Sequence, residues 1–206
     1  IENACFHIRK GETVAFVGSS GAGKSTIVDI LLGLLPPQQG KILVDGMNVY
    51  KNLRTWQKEI GYIPQTIYLS DDSIRNNVAF GIEEENIDEQ AVIAALKQAQ
   101  LYDFVDTLPE GLDTCVGDRG IRLSGGQRQR IGIARALYHK PEILVLDEAT
   151  SALDNDTEAA VMEAIDSLKG QKTIIIIAHR LTTIKNADTV YEVKDGKVEQ
   201  TTGVNT

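Results

Sequence analysis

Thr13-Val14-Ala15-Phe16-Val17-Gly18-Ser19-Ser20-Gly21-Ala22-Gly23-Lys24-Ser25 decides the fold. An unbroken β-branched and aromatic run leads into Gly18 and reads as a buried strand. Ser25 to Leu35 reads as a helix that Pro36-Pro37 stops. Between them lies the pattern G-x-x-x-x-G-K-[ST], in the strand–turn–helix setting that it requires. Gly18, Ser19, Ser20, Gly21, Ala22 and Gly23 let backbone N–H groups wrap phosphates, and the helix N-terminus adds a favourable dipole. Lys24 is placed to reach the β- and γ-phosphates. The Ser25 hydroxyl suits Mg²⁺, with Thr26 supporting the same turn. A bound nucleoside triphosphate is the expectation.

Outward from this unit, short strands are expected at Ile1–Ile8, Lys41–Val44 and Ile60–Ile63. From about Ser73 to Tyr138 helical periods dominate, as in Asp88 to Ala99. Ser124 is a good N-cap for a helix running to Tyr138. Strand–helix alternation resumes with Ile143–Leu146, a helix over Thr157–Leu168 and the apolar strand Thr173–Ala178. Thr189–Val193 and Lys197–Glu199 flank Asp195-Gly196 as a hairpin. Uninterrupted apolar strands alternating with helices imply a parallel sheet covered on both faces. The architecture is an α/β core interrupted by a helical insertion.

Several further residues carry chemistry by position. Asp147 ends a buried strand and is suited to hold Mg²⁺ through water, and Glu148, next in line, to act as general base on an attacking water. Gln65 follows a strand and a proline, where its amide can ligate Mg²⁺ or orient water. His179 lies at the carboxyl end of an apolar strand, on the ligand side of a parallel sheet. Spacing alone leaves His179 evenly divided between a structural role and donation to a γ-phosphate. Ser124-Gly125-Gly126-Gln127 offers a hydroxyl, bare amides and a helix N-terminus, a second anion site far from the first. A capped helix start explains Ser124 but not two glycines in the first turn, where each costs up to ~1 kcal/mol of propensity.

Taken together these elements resemble the nucleotide-binding domain of an ABC transporter over essentially the whole length. Walker A matches Gly18–Thr26, the Q-loop Gln65, the signature Leu123–Gln127, Walker B the strand through Asp147-Glu148, the D-loop Ser151–Asp154 and the switch His179. The resemblance implies a P-loop NTPase (RecA-like) core, 1–72 and 139–206, with an N-terminal antiparallel β part. It also implies an inserted α-helical subdomain, 73–138, that ends in the signature helix. ATP is the implied nucleotide. Catalysis falls to Glu148, His179 and Lys24, metal binding to Ser25, Gln65 and Asp147, and Asp154 joins the nucleotide contacts. The implied partner is a second copy or a paired ABC ATPase domain, head to tail, with each ATP held between one Walker A and the other signature.

Thr114-Cys115-Val116-Gly117-Asp118-Arg119-Gly120 resembles the exporter X-loop, with Cys115 and Asp118 where Glu is usual. That implies a transmembrane domain upstream, contacted through this loop and Gln65, with the ATPase on the cytoplasmic side of the inner membrane. The stretch Gln65–Phe80 is also similar to exporters, faintly to those of lipid-linked saccharides. An importer ATPase subunit or a non-transport ABC ATPase are the rival readings. The family's adenine-stacking aromatic lies upstream of Ile1, which implies reduced ATP affinity. Net charge −8 over 206 residues argues against a nucleic-acid partner. Cys5 and Cys115 fit neither a metal spacing nor a disulfide framework and read as structural fillers in a reducing compartment. No apolar run reaches the ~18–20 residues that span a bilayer, so the isolated domain is expected to be soluble.

Overall fold

The computed structural model describes residues 1–150, 153–178 and 184–201. Strand β1 (Thr13–Val17) leads into α1 (Lys24–Leu31), then a two-stranded antiparallel ladder of β2 (Leu43–Val44) and β3 (Met47–Asn48). Helix α2 (Leu53–Lys58) and β4 (Ile60–Ile63) follow. Four helices come next: α3 (Ile74–Val78), α4 (Glu89–Gln98), α5 (Tyr102–Asp106) and α6 (Gly125–Tyr138). The chain closes with β5 (Ile143–Asp147), α7 (Asn155–Asp166), β6 (Thr173–Ala178), β7 (Thr189–Lys194) and β8 (Lys197–Thr201).

The main sheet runs β4-β5-β6-β1-β7-β8. Strands β5, β6, β1 and β7 are parallel, and β8 returns antiparallel through Asp195-Gly196. All six residues of β6 are buried, as an apolar strand between two parallel neighbours must be. On this sheet Ile27, Val28, Leu31 and Leu32 of the first helix segment pack against Val14, Phe16, Val145, Ile175, Ile177 and Val193.

Two compact units divide the chain. The sheet unit is Ile1–Tyr62, Glu142–Glu148 and Lys169–Thr206; the helical unit is Ile63–Pro141 and Ala149–Leu168. Helix α7 groups with the helices because it packs on α6, which also contacts α3 and α4. In the helical unit Arg135 of α6 donates to the carbonyls of Asn77 (2.8 Å) and Tyr68 (2.8 Å) and lies over the Phe80 ring. Burial pulls its guanidinium below the usual range. These bonds tie the segment after β4 to the signature helix.

Three local expectations are corrected. Residues 1–8 form no strand; Phe6 instead stacks edge-on to Phe16 at 5.1 Å and Ile8 packs on the core, so apolar burial is met without a ladder. Cys5 is exposed rather than a core filler. Helix α1 stops at Leu31, short of the prolines: Gly33 takes φ +74°, and Leu34 N–H turns back to Asp29 O at 2.8 Å.

The last carbonyls of α1 are then claimed by side chains from the following segment. Tyr50 donates to Ile30 O (3.0 Å), Trp56 Nε1 to Leu31 O (2.6 Å) and Gln57 to Leu32 O (3.1 Å). Trp56→Phe removes the indole N–H together with half of a buried ring system, which leaves an unpaired carbonyl and a void, so it should destabilise the chain by at least about 1–2 kcal/mol. Urea unfolding followed by circular dichroism reads this, and an unchanged midpoint would refute the capping role.

Candidate active site

The sheet register assembles the first half of the site. Asp147 pairs with Ile177, and Ile177 pairs with Phe16, so the end of β5 is level with the start of the glycine-rich loop. The loop leaves β1 at Gly18 with φ +153°, where an added Cβ would stand 2.2 Å from Val193 O. Its backbone passes too close to β7 for any side chain, which accounts for the first glycine of the pattern.

Lys24 opens α1 and is buried, with Nζ donating to Gly18 O (2.9 Å) and Ser19 O (3.0 Å). The lysine thus rests folded over its own loop. Burial lowers its proton affinity, and the negative charges of Glu148 and Asp147 partly restore it. Those couplings place all three groups in one electrostatic neighbourhood. Asp147 is held above the usual carboxylate range chiefly by burial, with Glu148 and Asp29 adding like charge; a Tyr62 hydrogen bond and Lys24 oppose the shift. Tyr62 Oη donates to Asp147 Oδ2 at 3.2 Å. Burial and the adjacent carboxylate push the phenol up to about 12, so it remains a donor at neutral pH.

Glu148 has φ +50°, an uncommon conformation for a residue with a side chain. Its N–H donates to Ile177 O at 3.0 Å, which pins the turn to β6. Left-handed non-glycine residues cost of order 1–3 kcal/mol and cluster at active sites. The strain redirects the chain directly after Asp147.

The helical unit carries further candidate residues. Gln65 is exposed, two residues past β4. Ser124 caps α6 through a full capping box: its Oγ accepts from Gln127 N–H (3.2 Å) and its own N–H donates to Gln127 Oε1 (2.8 Å). Among the described residues the Ser124 hydroxyl proton has no acceptor, and Gly125 and Gly126 carry N–H groups of a first turn, which has no intrahelical acceptors. This is a donor-only surface suited to an anion.

Asp154 caps α7, accepting from Thr157 N–H (3.0 Å) and Thr157 Oγ1 (2.7 Å), which hold its carboxyl below the usual range. A Cβ on Gly126 would stand 2.5 Å from Thr157 Cγ2, so the signature turn and the Asp154 cap touch. In the Thr114–Gly120 loop, Cys115 Sγ donates to Asp71 Oδ1 at 3.2 Å. Ser151, Ala152 and His179 lie outside the described residues.

The structure therefore gathers Gly18–Thr26, Asp147 and Glu148 in the sheet unit, and Ser124–Gln127 with Asp154 in the helical unit. Sequence reasoning missed Tyr62, Asp29 and Thr157. Asp29 sits six positions after Gly23 on the helix, and its acidity was a usable signal. Thr157 is a local partner of the Asp154 cap three residues before it, whereas Tyr62 acts through a tertiary neighbour and leaves no pattern.

The family model described as "ABC transporter" matches residues 1–151. The chain belongs to the ABC transporter family. This ABC ATPase domain has the P-loop NTPase fold and binds ATP. It is 50% identical over 194 residues to the ATP-dependent lipid A-core flippase of Saccharophagus degradans, covering 94% of this chain and 33% of that protein. The corresponding flippase of Haemophilus influenzae is 43% identical over 201 residues, 97% of this chain and 34% of that protein. A solved bacterial Atm1-family ABC exporter with ATP bound superposes with a TM-score of 0.83 at 42% identity, covering 95% of this chain and 34% of that one. The chain thus spans about a third of the length of these relatives. Among the described residues no helix is long and apolar enough to cross a membrane.

Proposed function

We propose that this ATPase domain works in a head-to-tail pair, with a second copy or a paired ABC ATPase domain, and that the pair powers export or flipping of a substrate across a membrane. The observation that carries the reading is the duplicated phosphate chemistry. A strand–loop–helix with Lys24, Asp147 and Glu148 lies in one unit, and a self-capped donor turn at Ser124–Gln127 in the other. Relatives named as flippases and as an exporter support the outward direction over import. In this reading the Gln65 and Thr114–Gly120 loops contact a transmembrane domain, on the cytoplasmic side of the membrane.

The donors present suit Mg²⁺. The Ser25 hydroxyl and the Asp147 carboxylate are hard oxygen ligands, and Asp147 is half-buried beside like charges that a dication would relieve. Among the described residues no group of three His, Cys, Asp or Glu side chains is placed for a metal ion. A magnesium ion held by one carboxylate, a hydroxyl and substrate phosphates needs none. When bound, Mg²⁺ neutralises charge on the β- and γ-phosphates.

The chain's own residues do the rest. The Gly18–Ser25 amides cradle the phosphates, and Lys24 turns its ammonium from the Gly18 and Ser19 carbonyls onto them. Glu148 takes the proton of the attacking water. His179 donates to the γ-phosphate and holds that water, and Gln65 ligates the metal or orients the water at the boundary with the transmembrane part. Ser124, Gly125, Gly126, Gln127 and Asp154 of the second copy close the site. A shared site makes specific ATPase activity rise with chain concentration. Activity per chain that stays flat across a dilution series would sink the paired reading.

A further inference from the structure

On β4 the neighbours Gly61 and Ile63 are buried, whereas Tyr62 faces outward with 39% of its surface exposed. Its hydroxyl is nevertheless engaged with one partner, donating to Asp147 Oδ2 at 3.2 Å. Strands β4 and β5 are neighbours in the sheet, so the two side chains meet across the edge of the nucleotide-facing end. The terminal torsion of an aspartate is broad and nearly two-fold. A carboxylate flanked by negative Glu148 and Asp29 and drawn toward Lys24 therefore has no single preferred orientation of its own. A neutral donor bound to one oxygen supplies it. A phenol serves here where a cation would not, because it orients the carboxylate without neutralising it.

We infer that Tyr62 is a positioning residue for Asp147, holding Oδ2 so that the carboxylate meets a nucleotide-bound divalent cation in one fixed orientation. The inference rests on the ATP–magnesium reading above. Ligating carboxylates are typically hydrogen-bonded by an outer partner, and loss of such a partner weakens metal binding by 10- to 100-fold. The ring of Tyr62 is a separate matter, since Phe keeps it and removes only the hydroxyl.

The test is Tyr62→Phe in the 206-residue chain. Mn²⁺ is the probe, and its binding to chain loaded with a non-hydrolysable ATP analogue is read from the paramagnetic resonance signal of free Mn²⁺. The Mn²⁺ Kd is expected to rise about tenfold. Nucleotide affinity in EDTA and the urea midpoint should match the parent. The Mg²⁺ concentration for half-maximal hydrolysis should rise by the same factor, with kcat recovered at saturating Mg²⁺. An unchanged Mn²⁺ Kd overturns the inference. So does an equal loss of nucleotide affinity in EDTA, which would assign Tyr62 to the nucleotide or to the fold. A parent chain that binds no Mn²⁺ in the presence of nucleotide overturns the ATP–magnesium reading itself, and the inference with it.

Discussion

Replacing Glu148 by glutamine is expected to lower steady-state ATP hydrolysis by roughly 10²–10⁴-fold, the range for a lost general base. The substitution is nearly isosteric. The left-handed turn at φ +50° is held through the backbone N–H to Ile177 O at 3.0 Å, which an amide side chain leaves untouched. What disappears is the ability to accept a proton, together with one negative charge beside Asp147 and Lys24. Removing that charge lessens repulsion toward the γ-phosphate, so ATP should remain bound and the paired state should accumulate. Phosphate release measures the first effect, and size-exclusion chromatography with light scattering, with and without ATP and Mg²⁺, the second. A rate within tenfold of the parent would remove Glu148 from the base role. A variant that stays monomeric at saturating ATP defeats the shared site for this chain, whatever its rate.

Much of this arrangement was legible in the residues because it is written in local chemistry. Ser124 caps α6 as its side chain dictates, and Thr173–Ala178 is a strand over its full expected range. Lys24, Asp147 and Glu148 could be placed at or just beyond the ends of β1 and β5 because a strand must end where its apolar run ends. The early stop of α1 was not legible. Pro36-Pro37 is a strong local signal, but the helix end is decided by Tyr50, Trp56 and Gln57, about twenty residues on, which take its last carbonyls. Tyr62 was hidden for a related reason. Its role depends on β4 lying next to β5, and strand order across a sheet leaves no mark on spacing within either strand. Residues 1–8 show the converse: a strand was expected there, yet Phe6 and Ile8 satisfy their burial against Phe16, Tyr191 and the core without a ladder.

The signature turn offers the second large effect. Gly126→Ala is expected to lower hydrolysis by about 10²-fold, the scale of an ångström-level misplacement of catalytic groups. Helix propensity alone argues the other way, since Ala stabilises a helical position over Gly by up to ~1 kcal/mol. Contact decides the sign. The new Cβ would lie 2.5 Å from Thr157 Cγ2, and a β-branched side chain has few rotamers with which to retreat. Rotating Thr157 would break its Oγ1 bond to Asp154 Oδ2 at 2.7 Å and loosen the start of α7. Overpacking of this kind costs about 1–3 kcal/mol. The signature turn and the Asp154 cap would then be displaced together, and both are proposed to serve the neighbouring copy's nucleotide. Thr157→Ser removes the obstructing methyl while keeping the hydroxyl. The double variant Gly126→Ala with Thr157→Ser should therefore recover both stability and rate, read by urea unfolding and phosphate release. If the serine gives no rescue, the glycine is required for direct approach of the phosphate to the bare amide, and the contact between α6 and α7 is incidental to it.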